Sequence, residues 1–331
     1  MSKRAVALST LLAAAAAAAL APAANAAFPG TNGQIAYGFS KYDQRAKDAG
    51  FAGQGALFSL NANGSGAFAF PDDPDSNDGE PAWSADGRLL AYARLTNGEQ
   101  NGIVVGALDA WASARLVVQS DSADMPAFSP DGTTLVYSDY GKGIFTAPVN
   151  ASARPKVLVK NAKGWLNLGP SYSPDGATIV FSRYTTTNKP RKYRSQILAV
   201  DANGVNPRVV VAQDEHHFYP DAPDVSPDGT KLVFAASTSE GRSAIWESAL
   251  DGTQTRVLAL APRNSFLATP VWSPDAAKVA ATVVKPSIKR GSALVTVDVA
   301  TGALSTVRKV KKALIASPSW QPLPAAPAPA G

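Results

Sequence analysis

Two adjacent residues, His216 and His217, are the only histidines in the chain and the first candidates for chemistry. They lie in an acidic and aromatic stretch that begins at Asp214 and ends at Asp221. Because neutral imidazole and carboxylate groups are natural ligands of divalent metals, His216, His217 and Asp214 are candidate metal ligands. Neighbouring residues of an extended segment point in opposite directions, so only one of the two histidines readily faces a shared site. We favour ordinary loop histidines and keep the metal site as an alternative.

The sequence lacks the motifs that usually mark a catalytic centre. It contains no cysteine and no Gly-x-Ser-x-Gly segment, which leaves neither a thiolate nucleophile nor the nucleophile elbow of α/β-hydrolases. A Ser-His-Asp triad would have to take its base from His216 or His217 without a supporting motif. We therefore expect no catalytic residue, and no cofactor apart from the metal alternative. The alternative function is a polysaccharide lyase or hydrolase that uses carboxylates together with a histidine-bound metal.

The elements that must position these residues are visible in a repeated phrase. The segment Pro81-Ala-Trp-Ser-Ala-Asp86-Gly87 returns in similar form at Pro126, Pro170 and Pro223. It returns again at positions 270 and 318, where the last copy is truncated. Successive prolines are 45, 44, 53, 47 and 48 residues apart. A period of this length is typical of a β-propeller blade.

Each copy predicts the same order of strands. The Pro-x-aromatic-Ser segment forms a first strand, and Asp-Gly supplies a tight turn because glycine accepts positive φ. Three further β-rich runs follow in each repeat, for example Gln196–Asp201 as a third strand and Arg208–Ala212 as a fourth. Four short strands per repeat predict an all-β fold, a six-bladed β-propeller of four-stranded antiparallel blades.

The two ends of the mature chain predict how the ring closes. The segment 32–37 has the pattern of a turn and a second strand, with no first strand before it. The last copy, at Pro318 to Trp320, has the pattern of a first strand with nothing after it. Together they predict one composite blade, with three strands from the N-terminus and one from the C-terminus. Closure of this kind removes exposed sheet edges.

The repeated phrase, followed by a Lys/Arg-Leu-x-Phe/Tyr strand, closely resembles the repeat of TolB-like propellers. The resemblance extends over the whole mature chain and implies the propeller fold. It also implies a location in the cell envelope and a protein partner, although the same repeat serves propellers with many roles. TolB itself resembles an α/β domain followed by its propeller, whereas this chain is expected to start its first blade directly.

Propeller topology predicts a binding surface on the face that carries the crossovers between blades. Its loops contain carboxylates and aromatic residues inside a cationic rim, a combination that suits a peptide or a sugar chain. Trp165 is of special interest because, unlike the tryptophans of the repeated phrase, it lies in a crossover loop. The candidate ligand-binding residues are Glu80, Asp124, Trp165, Asn167, His216, His217, Tyr219, Asp221 and Arg263.

The chain termini predict export. Lys3 and Arg4 precede a largely apolar stretch, and Ala24-Asn25-Ala26 is the small-x-small pattern at which signal peptidases cut. We expect a signal peptide over 1–26, the propeller over 27–321 and a disordered Pro/Ala-rich tail over 322–331. The protein is then secreted or periplasmic, with an envelope or extracellular protein or glycan as its partner.

The composition excludes other classes of partner. Removal of Lys3 and Arg4 lowers the formal net charge from +5 to +3, and no run of basic residues indicates nucleic-acid binding. Outside the signal, no segment has the eighteen or more apolar residues that a membrane helix needs. We expect a monomer that does not insert into the membrane.

Overall fold

A computed structural model describes residues 27–41, 55–71, 75–96, 101–187, 193–214 and 218–324. The strands form six sheets, each of four antiparallel strands. The predicted six-bladed propeller is therefore confirmed. No helix within the described ranges has the length and apolar character to cross a membrane.

The blades follow one another along the chain, and the composite blade is blade 1. Blades 1 and 2 contain β1 (Thr31–Lys41), β2 (Gly55–Leu60), β3 (Phe68–Ala69), β24 (Ala313–Leu323), then β4 (Ser76–Trp83), β5 (Leu89–Thr96), β6 (Gly102–Ala107) and β7 (Arg115–Gln119). Blades 3 and 4 contain β8 (Ala123–Phe128), β9 (Thr134–Asp139), β10 (Gly143–Pro148), β11 (Lys156–Lys160), then β12 (Trp165–Tyr172), β13 (Thr178–Thr185), β14 (Ser195–Asp201) and β15 (Arg208–Ala212).

The remaining two blades have the same order. They contain β16 (Phe218–Val225), β17 (Lys231–Ser237), β18 (Ser243–Ala249), β19 (Arg256–Leu260), then β20 (Phe266–Trp272), β21 (Lys278–Val284), β22 (Ser292–Asp298) and β23 (Leu304–Val310). Two short 3-10 helices, Leu108–Ser113 and Ile288–Arg290, lie in connections within blades 2 and 6.

Ring closure joins the first strand of the chain to the last. In blade 1 the strand order is β24-β1-β2-β3, and Ile35 of β1 pairs with Trp320 of β24. The Gln321 side chain secures this blade, since its Oε1 accepts from the Gln34 N–H at 3.2 Å and its Nε2 donates to the Gly87 carbonyl of blade 2 at 2.8 Å. The last strand runs to Leu323, two residues beyond the predicted end of the propeller.

The repeated Ser-x-Asp phrase forms the same hydrogen-bonded turn in blades 2 to 6. In blade 3, the Ser129 hydroxyl donates to Asp131 Oδ1 at 2.5 Å, and Asp131 Oδ1 accepts from the Thr133 N–H at 3.0 Å. The Thr134 N–H then donates back to Ser129 Oγ at 3.0 Å. The corresponding bonds in the other four blades are 2.5–2.6 Å, 2.9–3.0 Å and 2.9 Å long. We call this side of the ring the Asp-Gly face.

The inner strand of every blade bends at the residue before the repeated proline. That residue has a φ between 50° and 62° in all six blades, at Glu80, Met125, Gly169, Ala222, Thr269 and Ser317. Each pairing of first and second strands has a register shift at this point. Since non-glycine residues seldom adopt positive φ, above all β-branched ones, the bend is a costly bulge that the ring repeats.

The core lies between adjacent blades. Six hydrophobic clusters each combine residues of two neighbouring blades, one cluster for every blade interface. The repeated aromatic residues belong to them and are at most 5% exposed: Trp83, Phe128, Tyr172, Trp272 and Trp320.

Candidate functional site

Five side chains of blades 3, 4 and 5 form the most distinctive group on the crossover face. We call them the tyrosine–aspartate cluster: Tyr140, Tyr184, Tyr193, Tyr219 and Asp221. In each blade the second strand ends on this face, the third begins here, and the first strand of the next blade starts here. Residues far apart in sequence therefore meet on the crossover face.

Asp221 is the centre of the cluster. Its carboxylate accepts hydrogen bonds from the Tyr184 hydroxyl, from Ser182 Oγ at 3.0 Å and from the Ala222 N–H at 2.7 Å. The donors come from blades 4 and 5, so this carboxylate bridges two blades. Burial raises the pKa of Asp221 to about 6, even though the hydrogen bonds act in the opposite direction. The side chain is nevertheless half-buried and retains contact with solvent.

Asp124 is a second half-buried carboxylate, on the inner strand of blade 3. It accepts a hydrogen bond from the Met125 N–H at 2.8 Å. Burial raises its pKa to about 6, as for Asp221. No lysine or arginine among the residues that the structure describes forms an ion pair with either carboxylate.

Aromatic contacts connect the tyrosines of the cluster. The ring centroids of Tyr193 and Tyr219 are 5.2 Å apart, and those of Tyr184 and Tyr193 are 6.3 Å apart. Met125 and Leu168 pack against Tyr184 and form the apolar floor. Tyr219 remains 42% exposed, so it offers both ring surface and a hydroxyl to a ligand.

The hydroxyls of Tyr140, Tyr184 and Tyr193 stay protonated and can act as donors. Burial, and next the Asp221 carboxylate, raise the pKa of Tyr184 and of Tyr193. Burial also raises the pKa of Tyr140, although its side chain is 43% exposed. The arrangement offers carboxylates for a cation, hydroxyls for hydrogen bonds and ring faces for a flat group.

The structure brings two of the predicted binding residues into this cluster, Tyr219 and Asp221, whereas Asp124 lies on the same face in blade 3. Trp165 lies half-buried at the start of β12, paired with Thr185. Within the described part of the chain, no ring contact joins Trp165 to the tyrosines.

The Asn167 side chain is inaccessible to solvent and makes structural hydrogen bonds. It is fully buried, and its side-chain Nδ2 donates to the Lys160 carbonyl at 3.2 Å while Oδ1 accepts from Arg183 Nε at 2.8 Å. Its backbone N–H donates to Asn161 Oδ1 at 2.8 Å. These bonds tie the crossover from blade 3 to blade 4, so Asn167 does not present its amide to a ligand.

The other candidates lie elsewhere on the same face. Glu80 is half-buried on the inner strand of blade 2, and Arg263 is exposed between blades 5 and 6. Asp214 is exposed, whereas His216 and His217 lie outside the described residues. Among the described side chains, no group of three His, Asp or Glu residues is close enough to hold a metal ion.

Tyr140, Tyr184 and Tyr193 were not predicted as site residues. Tyr140 follows β9, Tyr184 lies near the end of β13 and Tyr193 precedes β14. The available signal was their position next to the loops between second and third strands, which belong to the crossover face. Sequence reasoning concentrated on the crossovers and on the histidines, and passed over strand ends.

Comparison with known proteins places the architecture in a family. The family model described as the TolB beta propeller domain matches residues 77–323. No curated protein shows significant sequence similarity to the chain.

Solved structures agree with the family match. TolB from Acinetobacter baumannii is 16% identical, with a TM-score of 0.67 over 88% of this chain and 67% of that chain. A structure described as putative TolB from Agrobacterium tumefaciens is 19% identical, with a TM-score of 0.59 over 84% of this chain and 90% of that one. An oligogalacturonate lyase in complex with manganese is 15% identical, with a TM-score of 0.52 over 85% and 75% of the two chains.

These identities establish a shared fold and leave the ligand open. The family model, in contrast, spans most of the chain, including blades 3 to 6 in full and all of blade 2 except Ser76. The chain therefore belongs to the TolB β-propeller domain family.

Proposed function

We propose that the protein is an exported binding scaffold whose tyrosine–aspartate cluster binds a cationic segment of an envelope or extracellular protein. The observation that carries the proposal is the half-buried carboxylate of Asp221 beside exposed tyrosine rings, with Asp124 as a second half-buried carboxylate on the same face. A lysine or arginine side chain of a partner would supply a counter-charge to these carboxylates and stack on the rings.

The chemistry of the cluster favours a protein over a neutral glycan. A neutral sugar would stack on Tyr219 but would leave the two carboxylates without a counter-charge. Tyrosine on the surface and arginine from a partner are also the residue types that dominate binding energy at protein interfaces. Membership in the TolB propeller family supports an envelope location for the protein.

The proposal is tested with the mature chain immobilised and exposed to envelope extract. The test variants are Tyr219→Ala and Asp221→Asn, and the matched control is Phe68→Ala, which removes an aromatic ring that is 49% exposed on the outer strand of blade 1. We expect one protein to be captured by the wild type and the control, and at least tenfold less by each test variant.

Calorimetry with the purified partner then gives the affinities directly. Equal affinities for the wild type and both test variants would refute the proposed site. Captured material that survives protease digestion and contains sugar would assign the surface to a glycan instead.

One observation also favours a second candidate, a polysaccharide lyase or hydrolase. A carboxylate with a pKa of about 6 that is hydrogen-bonded to a tyrosine hydroxyl is the kind of pair that performs proton transfer, and Asp221 with Tyr184 is such a pair. Turnover of a glycan panel that disappears in Tyr184→Phe would support this candidate. Elemental analysis of the purified chain, with and without His216→Ala, would show whether a metal takes part.

A further inference from the structure

A single buried carboxylate, Asp224, interrupts an otherwise uncharged ring of side chains, one from each blade, at the position after the repeated proline. It occupies the middle position of the Pro-x-aromatic segment in blade 5 and is completely buried. The same position in the other blades holds a small or aliphatic neutral residue: Ser319, Ala82, Ala127, Ser171 and Val271. Burial raises the pKa of Asp224 well above its usual range.

Part of the role of Asp224 is the connection between blades 5 and 6. Its Oδ2 accepts from the Trp272 N–H at 2.8 Å, and its Oδ1 accepts from Ser171 Oγ at 3.2 Å. In blade 1, however, the Ser319 hydroxyl makes the equivalent connection by accepting from the Trp83 N–H at 3.2 Å. A neutral serine therefore suffices for the connection, and the presence of a carboxyl group at Asp224 needs another explanation.

Two further backbone nitrogens donate hydrogen bonds to the Asp224 carboxylate, that of Val225 in the same strand and that of Ala27 from outside the blade. Ala27 is 3% exposed and packs in the cluster between blades 5 and 6 that contains Leu267 and Trp272. No lysine or arginine among the described residues forms an ion pair with Asp224.

The segment that begins at Ala27 lies across the interior of the ring. Phe28, also 3% exposed, packs in the cluster between blades 2 and 3, which is opposite the interface that holds Ala27. The chain then reaches the Asp-Gly face, where the Gly30 N–H donates to the Pro274 carbonyl at 3.3 Å and the Asn32 amide donates to Asp275 at 2.8 Å.

Ala27 is also the first residue after the predicted signal-peptidase site. Hydrolysis of the Ala26–Ala27 bond adds the oxygen of water to the Ala26 carbonyl carbon, which becomes a carboxylate. The Ala27 nitrogen takes up protons and becomes an ammonium group. The neutral donor of the precursor thus becomes a positive charge at the position that already faces Asp224.

We propose that Asp224 is a binding site for the protein's own processed N-terminus, and that the Ala27 ammonium and the Asp224 carboxylate form a buried ion pair. The pair exists only after cleavage, so the interior of the ring reaches its final stability after export. An uncompensated buried carboxylate is strongly destabilising, whereas a paired and hydrogen-bonded one is tolerated.

The direct test compares the mature chain bearing a free Ala27 amine with the same chain acetylated at that amine. Acetylation should lower the Tm on the order of 5–10 °C, the size expected when one partner of a buried pair is removed from a large domain. The matched background is Asp224→Ser. Its hydroxyl can accept a backbone hydrogen bond as Ser319 does, but it carries no charge. In that background the free and acetylated chains should melt within about 2 °C of each other.

Two results would overturn the proposal: an unchanged Tm after acetylation of the wild type, or an equal decrease in the Asp224→Ser background. A measurement without any variant covers the case in which Asp224→Ser does not fold. The α-amine of the native mature chain should resist acylation under conditions in which lysine side chains react, and it should become reactive in urea. A freely reactive α-amine in the native protein, or an exported chain whose first residue is not Ala27, would also refute the proposal.

Discussion

On the Asp-Gly face, five blades repeat one hydrogen-bonded turn with serine and aspartate in the same roles, for example at Ser129 and Asp131. On the crossover face, the hydrogen bond from Tyr184 to Asp221 is made once among the described residues, because Tyr140 is the equivalent tyrosine of blade 3 but blade 4 has Leu168 in the position of Asp221. The same strands connect the two faces, so the difference does not come from backbone architecture. Repetition indicates a demand common to all blades, which is folding, whereas a feature found once indicates a particular task.

The aspartates of the two faces show the contrast in energetic terms. Hydrogen bonds from Ser129 and from the Thr133 N–H lower the pKa of Asp131, so the ionised form stabilises the turn. Burial raises the pKa of Asp221 to about 6, so its ionised form costs stability. Residues kept despite such a cost are candidates for function.

The largest effect expected on the Asp-Gly face comes from Gly87→Ala, compared with Gly132→Ala. Both glycines have a φ near 69°, at 68° and 69°. A Cβ at Gly87 would lie 2.1 Å from the Pro322 carbonyl oxygen, whereas nothing lies within 4 Å of one at Gly132. Gly132→Ala should cost about 1 kcal/mol of unfolding free energy from the left-handed backbone alone, and Gly87→Ala about 3 kcal/mol because it also displaces the closing strand. Urea denaturation of both variants measures the difference, and equal losses would contradict the close approach of the closing strand to Gly87.

The next largest effect is expected from acidification, which should weaken binding at the crossover face. Below pH 6, protonation of Asp124 and Asp221 removes the charge that binds a cationic partner, so affinity should fall about tenfold between pH 7 and pH 5 for each carboxylate that must be ionised. Folding stability should respond in the opposite sense. The pKa of both groups is higher in the folded state than in the unfolded state, so the penalty present above pH 6 disappears as the pH falls towards 4. Titration calorimetry and thermal melts over pH 4–8 measure the two effects, and affinity that is constant from pH 7 to pH 5 would contradict the binding model.

Removal of one carboxylate on each face is expected to have a smaller effect on stability. Asp131→Ala should cost about 0.5–1 kcal/mol, because the turn loses its hydrogen bonds while remaining open to water. Asp221→Asn should be neutral or stabilising at pH 8, because the amide oxygen still accepts from Ser182 and the buried charge is gone. Thermal melts of the two variants provide the measurement. A loss of more than about 2 kcal/mol in Asp221→Asn would mean that this residue belongs to the scaffold.

The smallest effect on stability is expected in blade 6, where alanine replaces the glycine of the repeated turn. Ala276 occupies the glycine position of blade 6 with a φ of 58°. Ala276→Gly should raise the free energy of unfolding by about 0.5 kcal/mol, since relief of the left-handed strain exceeds the entropy that glycine adds to the unfolded chain. A decrease in stability on urea denaturation would show that the alanine side chain makes a compensating contact.

The fold was predictable because one phrase recurs with a nearly constant period, and because each end of the chain lacks the strands that the other end supplies. The bulge before each proline was not predictable, since proline normally holds the preceding residue in an extended conformation. The bulge at Gly169 follows Asn167 closely, and it explains why the Asn167 side chain lies inside the protein. Residue type and loop position were enough to place Tyr219 and Asp221 on the crossover face, and their role in binding stays a prediction.

The tyrosines at the strand ends required three-dimensional information. Tyr184 and Tyr193 belong to blade 4 but contribute to a site centred on Asp221 of blade 5. No sequence pattern within one blade connects them. Asp224 illustrates the reverse case, since it lies within the repeated phrase and was interpreted only as part of a strand. The available signal was an ionisable residue at a position that is neutral in the other five blades.

Photo-crosslinking in the native envelope tests the division between the faces most directly. A photoreactive phenylalanine analogue would replace Tyr140 on the crossover face in one strain and Thr133 on the Asp-Gly face in another. Both side chains lie on the surface, at 43% exposure for Tyr140 and in the exposed turn of blade 3 for Thr133. We predict a discrete protein adduct from position 140 and none from position 133. An adduct from position 133 alone would contradict the account.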